Sequence, residues 1–417
     1  MKIRYISPVY CLWVSLILMY IIPVIYFIVY IPDYYLASNA FTPFIICSIM
    51  YCSIIFIMPG IFKSIQHLSN FNFIIFRTAN FFPVAEKSNY NSPINAIYRL
   101  LTNILIIISL TIFFYLGLPK LLLLGSYTPD VGAFRILGYD DRSRILTAIL
   151  EILRRIVWPF TLLNFLVKYH INNYSKKIYT KSGFYLFLVT LTFFLVSIIN
   201  LDRGPIFTFF VFLAYYQFVV KERPMKFVLF MGTFFFIFLS FVGGYVTFLQ
   251  YNNTYFTFDE LINQSQNIIL KRAVLDPVVS SYALSFDIFR EGSEKLMFEH
   301  SRLFSIFTGN YVGTSGAYSI FVAPAGIVGD AWRNAGYVGV GMTALFISIV
   351  FYYFEIKFSE ASYRLQIPGS FLVLFLSMYL VYGGLFSLGP FSIITVIIIL
   401  LKYDKRKFSG IYSTIVE

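Results

Sequence analysis

The sequence predicts an all-α polytopic membrane protein, with about ten transmembrane helices and a large outer loop region. Three observations predict it. Of 417 residues, 59% are hydrophobic and 12% charged, with a mean hydropathy of +0.76; a soluble domain carries about twice that charged share. The apolar residues gather in runs of about 20, the length a helix needs to cross the hydrocarbon core. The 32 Lys and Arg fall almost entirely between those runs. This composition excludes a soluble enzyme and a disordered chain, and three Cys cannot staple a disulfide scaffold. The net charge of +12 does not point to nucleic acid. In so apolar a chain, surplus Lys and Arg mark cytoplasmic loops and contacts with membrane lipid headgroups.

Apolar runs lie near 9–31, 41–62, 100–118, 145–167, 184–200, 204–220, 227–250, 337–356, 369–387 and 389–402. The first is too long for a signal-peptide core and no small-residue cleavage site follows it, so it reads as a retained anchor. The whole of 1–417 reads as a single integral membrane domain, with 251–336 as a large outer loop and re-entrant region within it. With both termini placed inside, the inner loops carry 13 Lys and 6 Arg, and the outer surface 3 Lys and 8 Arg. The excess of positive charge inside orients the bundle with both termini cytoplasmic. The outer preference for Arg has its own meaning. A planar guanidinium binds phosphate or carboxylate with two parallel hydrogen bonds, which Lys cannot do. The competing explanation is that outer Arg residues pair with outer Asp and Glu.

The inner segment 63–99 contains apolar patches, 71–76 and 81–84, that read as helices lying in the interface. No phosphate-binding loop or dinucleotide fingerprint occurs there. Outside, 119–144 and 251–336 are long enough to be functional. The latter holds seven acidic residues between Asp259 and Glu299 and five basic ones between Lys271 and Arg302. Any chemistry is therefore expected on the outer face.

Several constellations there carry candidates. Asn200-Leu201-Asp202-Arg203-Gly204-Pro205 reads as a tight hairpin. It sets Arg203 at a helix N-terminus, whose dipole favours an anion. Arg203 either holds a lipid-linked phosphate or pairs with Asp202. Glu151, Arg154 and Arg155 stand at i, i+3 and i+4 in the fourth run. One Arg can neutralise Glu151 while the other lines a wet cleft; an internal salt bridge is the alternative. Arg272 follows an apolar run, 268–270, that would dip toward lipid, whereas Asp287 and Arg290 suit a surface pair. His300 is the one histidine expected outside, beside Glu299 and Arg302, and imidazole can accept a proton near neutrality. No metal-ligand spacing is present, so no metal is expected. The stretch 315–341 is apolar but broken by Gly and Pro, and includes Asp330, Trp332, Arg333 and Asn334. Such backbone at membrane depth lines protein or a cavity.

The run Gly329-Asp330-Ala331-Trp332-Arg333-Asn334-Ala335-Gly336, followed by Gly339 and a span, resembles the late outer-face motif of the bacterial oligosaccharide repeat unit polymerases, the O-antigen polymerases or Wzy family. That family often reads Gly-Glu-x-Tyr-x-Asn-x-Gly there, where this chain has Asp330 and Trp332. The Asp202-Arg203-Gly204-Pro205 turn is similar to the family's Arg-containing turn between mid-chain spans. The resemblance implies a GT-C-like membrane glycosyltransferase in O-antigen or other lipopolysaccharide-type surface polysaccharide biosynthesis. It would pass a growing glycan from undecaprenyl pyrophosphate to a sugar hydroxyl of a second lipid-linked unit. It also implies no cofactor and admits a chain-length regulator as partner. In that scheme Arg203 and Arg272 bind pyrophosphate, supported by Arg154, Arg155 and Arg333. Asp330 or His300 activates the acceptor hydroxyl. A lipid-linked oligosaccharide flippase and an O-antigen ligase are the competing readings. A flippase would show two-fold repeats and short outer loops, and a ligase differs in its acceptor.

Overall fold

A computed structural model describes residues 4–30, 40–65, 76–78, 93–117, 152–174, 180–198, 203–222, 326–361, 363–385 and 388–413, with isolated positions between 224 and 286. Those residues are helical apart from one pair of three-residue strands, β1 (Arg4–Ile6) and β2 (Phe76–Thr78). The apolar patch 71–76 therefore ends in a strand, where sequence periodicity predicts an interfacial helix.

The described helices follow the apolar runs; the run 227–250 and the start of 145–167 lie largely outside the described residues. α1 (Pro8–Leu16) passes through a π-helical turn (Ile17–Ile21) into α2 (Ile22–Tyr30), and α3 spans Phe41–Ile65. α4 (Pro93–Ile112) ends in a second π turn (Phe113–Gly117). A third (Leu153–Val157) opens α5 (Trp158–Tyr174), and α6 spans Thr180–Ile198. α7 (Arg203–Tyr215) closes in a fourth π turn (Tyr216–Val220). α8 (Gly326–Glu360), α9 (Tyr363–Gly383) and α10 (Leu388–Ser413) complete the order.

Among the described residues, four stretches are long and apolar enough to cross a membrane: Pro8–Val29, Phe41–Ile65, Gly326–Glu360 and Leu365–Tyr382. Five shorter apolar helices accompany them. Large aliphatic side chains point outward, including Leu18, Val29, Ile49, Val338 and Met342, each at least 60% exposed. A water-facing surface would put polar residues there; this arrangement suits lipid. The chain is an all-α membrane-type protein by this measure.

The chain divides into two compact units, Met1–Arg4 with Thr78–Ile268, and Tyr5–Arg77 with Ile269–Glu417. In the first, Trp158 Nε1 donates to Ser109 Oγ at 3.0 Å and Tyr185 donates to Asn103 Oδ1 at 2.9 Å, joining α4 to α5 and α6. Phe193 packs edge-on against Phe209 and Phe212 of α7. In the second unit, α1 to α3 pack with α8 and α9 through small hydroxyls. Ser15 and Ser377 bond at 2.6 Å, Tyr20 and Ser48 at 2.8 Å, and Ser370 donates to the Ile6 carbonyl at 2.6 Å. Small residues and hydroxyls of this kind let apolar helices approach where the hydrophobic effect gives no net drive.

Candidate functional site

Two polar clusters sit at opposite ends of the second unit. The first lies where α8 breaks. Ala335 (φ −157°, ψ 27°) and Gly336 (φ 56°, ψ −143°) leave helical geometry, so α8 is an arm, 326–334, followed by a span. Gly336 occupies the left-handed side of backbone space that side chains disfavour, which is why the break falls on a glycine. The turn folds the arm back on the span: a Cβ at Gly339 would touch the Ala331 carbonyl oxygen and lie 2.8 Å from Ala335 Cβ. The helix thus starts ahead of the run 337–356 read from hydropathy, because the arm is apolar yet interrupted by Gly.

Arg333 Nη2 bonds Asp330 Oδ1 at 2.9 Å, an i,i+3 pair with both side chains at least nine-tenths buried. Asn334 Nδ2 donates to the Asp330 carbonyl at 2.6 Å, which fixes the amide's orientation. Trp332 stacks on Phe286 with centroids 4.8 Å apart and meets Tyr337 edge-on at 4.9 Å. Immediately after α9, Gly384 (φ +81°) closes over Asp330, leaving no room for a Cβ against the carboxylate. Three buried atoms of this cluster have no hydrogen-bond partner: Trp332 Nε1, Arg333 Nε and Asn334 Oδ1. Each such omission costs about 1–3 kcal/mol unless something fills it.

The second cluster centres on Glu355, fully buried near the far end of α8. Its carboxylate accepts hydrogen bonds from the Ser7 hydroxyl and, at 3.1 Å, the Val9 N–H, and forms an ion pair with Arg77 Nη2 at 2.8 Å. Ser7 precedes α1 but makes no cap bond to its own helix. Glu355 supplies the anion to that N-terminus instead, from 346 residues away. Tyr5 joins the cluster: burial pushes its phenol well above the ordinary tyrosine range, against the lowering pull of Arg77. It stays neutral.

Of the residues singled out in the sequence, the structure brings together Asp330 and Arg333. Arg203 is the first residue of α7 and Arg155 lies in the π turn 153–157; their side chains lie outside the described residues. Arg154, in that same turn, is 1% exposed. A π turn of this kind often marks a functional position. Arg272, His300 and Glu151 lie outside the described residues. Among the described residues, no three His, Cys, Asp or Glu side chains gather as a metal site. Sequence reasoning missed Glu355, Arg77, Ser7 and Gly384. The available signal was Glu355 itself, an acid within an apolar run, which by default is functional or paired. No protein-family model, no curated protein and no solved structure matches this chain.

Proposed function

We propose that this protein is a GT-C-like membrane glycosyltransferase of about ten spans that polymerises undecaprenyl-pyrophosphate-linked repeat units at the periplasmic face of a bacterial inner membrane. One observation carries the reading: an apolar helix breaks at Ala335–Gly336, and a buried ion pair and unsatisfied polar atoms stand at the break. A purely structural helix has no use for these, whereas a site for a polar headgroup does. Sidedness supports it as well. Asp330, Gly384 and Phe286 gather at one end of the second unit, and Ser7, Arg77 and Glu355 at the other. Lys63 at the end of α3 and Lys357 beside Glu355 stand at the latter end, which supports reading it as the cytoplasmic one.

The chemistry asks little of the protein beyond placement and charge. A lipid pyrophosphate is a good leaving group, and its developing charge needs fixed cations. Arg203 and Arg272 serve as those cations, with Arg154 and Arg155 supporting. Arg203 opens α7, at the positive end of its dipole, which favours an anion there. Asp330 and His300 are the groups that can take the acceptor proton. Asp330→Asn and His300→Ala separate them, since loss of the base lowers kcat at saturating acceptor.

The test is a deletion strain examined by gel for surface glycan. Loss of the ladder with one repeat unit still attached to lipid A is the expected result. Complete loss of attached glycan would instead mark a flippase or a ligase.

A further inference from the structure

α8, α9 and α10 are joined by short turns and pack side by side, so α10 returns its C-terminal half to the Glu355 end of the second unit. The apolar part of α10 is Pro390–Lys402, yet the helix runs on to Ser413. The apolar stretch of α9, Leu365–Tyr382, is 18 residues long, and the same length counted along α10 from Leu388 arrives at Lys405. Lys405 and Arg406 therefore stand at the depth where α9 leaves the apolar layer, and Lys402 about one turn deeper. The outward side chains of α10 form one stripe: Thr395, Ile398, Ile399 and Lys402 are all exposed and stand at i, i+3, i+4 and i+7. Ile398 and Ile399 are 41% and 59% exposed, whereas Leu401 is buried. Lys405 and Arg406 occupy the next two positions of that register, and position 404, the acid of this segment, falls on the opposite side of the helix. The stripe thus changes from aliphatic to cationic within one turn, at the membrane boundary. That is the complement of an amphiphile with an apolar tail and an anionic head. A soluble anion would leave the isoleucine surface unused, and an acidic protein would have to reach into the apolar layer to cover it.

We propose that this face of α10 is a docking surface for an anionic phospholipid, with an acyl chain along Thr395, Ile398 and Ile399 and the phosphate met by Lys402, Lys405 and Arg406. Topology alone asks only for positive charge in the inner loops. It does not ask that the bases continue the exposed stripe of a span, nor that the helix stay intact beyond it. A lysine one turn inside the boundary extends its stem along the apolar layer and sets its ammonium at phosphate depth, and a guanidinium can grip the phosphate with two parallel hydrogen bonds. Each base near an anionic surface strengthens binding about fivefold. The surface lies at the Glu355 end, and nothing in it depends on the reaction proposed above.

The purified full chain in neutral detergent is titrated with dioleoyl phosphatidylglycerol and, separately, with dioleoyl phosphatidylcholine, and retained lipid is counted by native mass spectrometry. Phosphatidylglycerol is expected to bind on the order of a hundredfold more tightly, about fivefold for each of the three bases, with the preference shrinking as salt rises. Lys405→Gln should weaken it about fivefold, and Lys402→Gln, Lys405→Gln and Arg406→Gln combined should abolish the preference. Lys402→Arg with Lys405→Arg keeps the charge and should keep the preference. Lys226→Gln removes an exposed base elsewhere and should leave it unchanged. A thermal midpoint equal to the parent's without added lipid shows that the triple variant is folded; if it is lower, the single glutamine variant and the arginine variant decide. Equal retention of the two lipids overturns the proposal and leaves the bases to an acidic protein partner. Displacement of phosphatidylglycerol by millimolar inorganic phosphate, or equal losses in Lys226→Gln and Lys405→Gln, overturns it as well.

Discussion

Replacing Glu355 with alanine is expected to destabilise the protein by about 3–5 kcal/mol, the cost of breaking a buried ion pair by removing one partner. Arg77, with a side chain 17% exposed, would lose the carboxylate 2.8 Å from Nη2, and the Ser7 hydroxyl and Val9 N–H would lose their acceptor. Glu355→Gln keeps an acceptor for Ser7 and Val9 but not the charge, so it should fall between parent and alanine. Removing both charges, as Arg77→Leu with Glu355→Leu, should recover part of the loss, because no uncompensated charge then stays buried. Denaturant titration in detergent reads all four proteins. Equal stability of parent and Glu355→Ala would mean the cluster contributes nothing to joining α1, β2 and α8.

The second large effect is on activity. Arg203→Ala should abolish the surface-glycan ladder in a complemented deletion strain, a loss of about 10²–10³ in rate, as for removal of one preorganised donor to developing charge. Arg203→Lys should restore it only partly, because an ammonium supplies charge without the bidentate fork. The expectation follows from position: Arg203 is the first residue of α7, at the positive end of the helix dipole, and Gly204 and Pro205 follow it in the first turn. Normal expression with a full ladder in the alanine variant would take Arg203 out of the mechanism.

The helices were legible because each is a local pattern. The run 9–31 became Pro8–Leu16 and Ile22–Tyr30 with a π turn between, and 41–62 became Phe41–Ile65. Hydropathy averages over a span, so it could see neither the π turns nor the arm 326–334, whose glycines dilute its apolar signal. The motif around Asp330 and Arg333 was legible because both partners lie within one turn of helix. Its consequence was not: an i,i+3 pair that neutralises Arg333 shows only once both side chains are placed, and Gly384, which closes over Asp330, lies 54 positions away. The Glu355 cluster was the hardest to read. Its anion sits at the end of α8 while its partners lie in β2 and before α1, and no window of sequence contains them together.

The most direct measurement is reconstitution of the purified full chain with undecaprenyl-pyrophosphate-linked repeat units, with chelator present and no nucleotide added. A ladder of glycan still attached to the lipid carrier is expected, lost on Arg203→Ala and unaffected by the chelator. Strict dependence on Mg²⁺, or movement of the lipid-linked unit between leaflets without any glycosidic bond being formed, would contradict it.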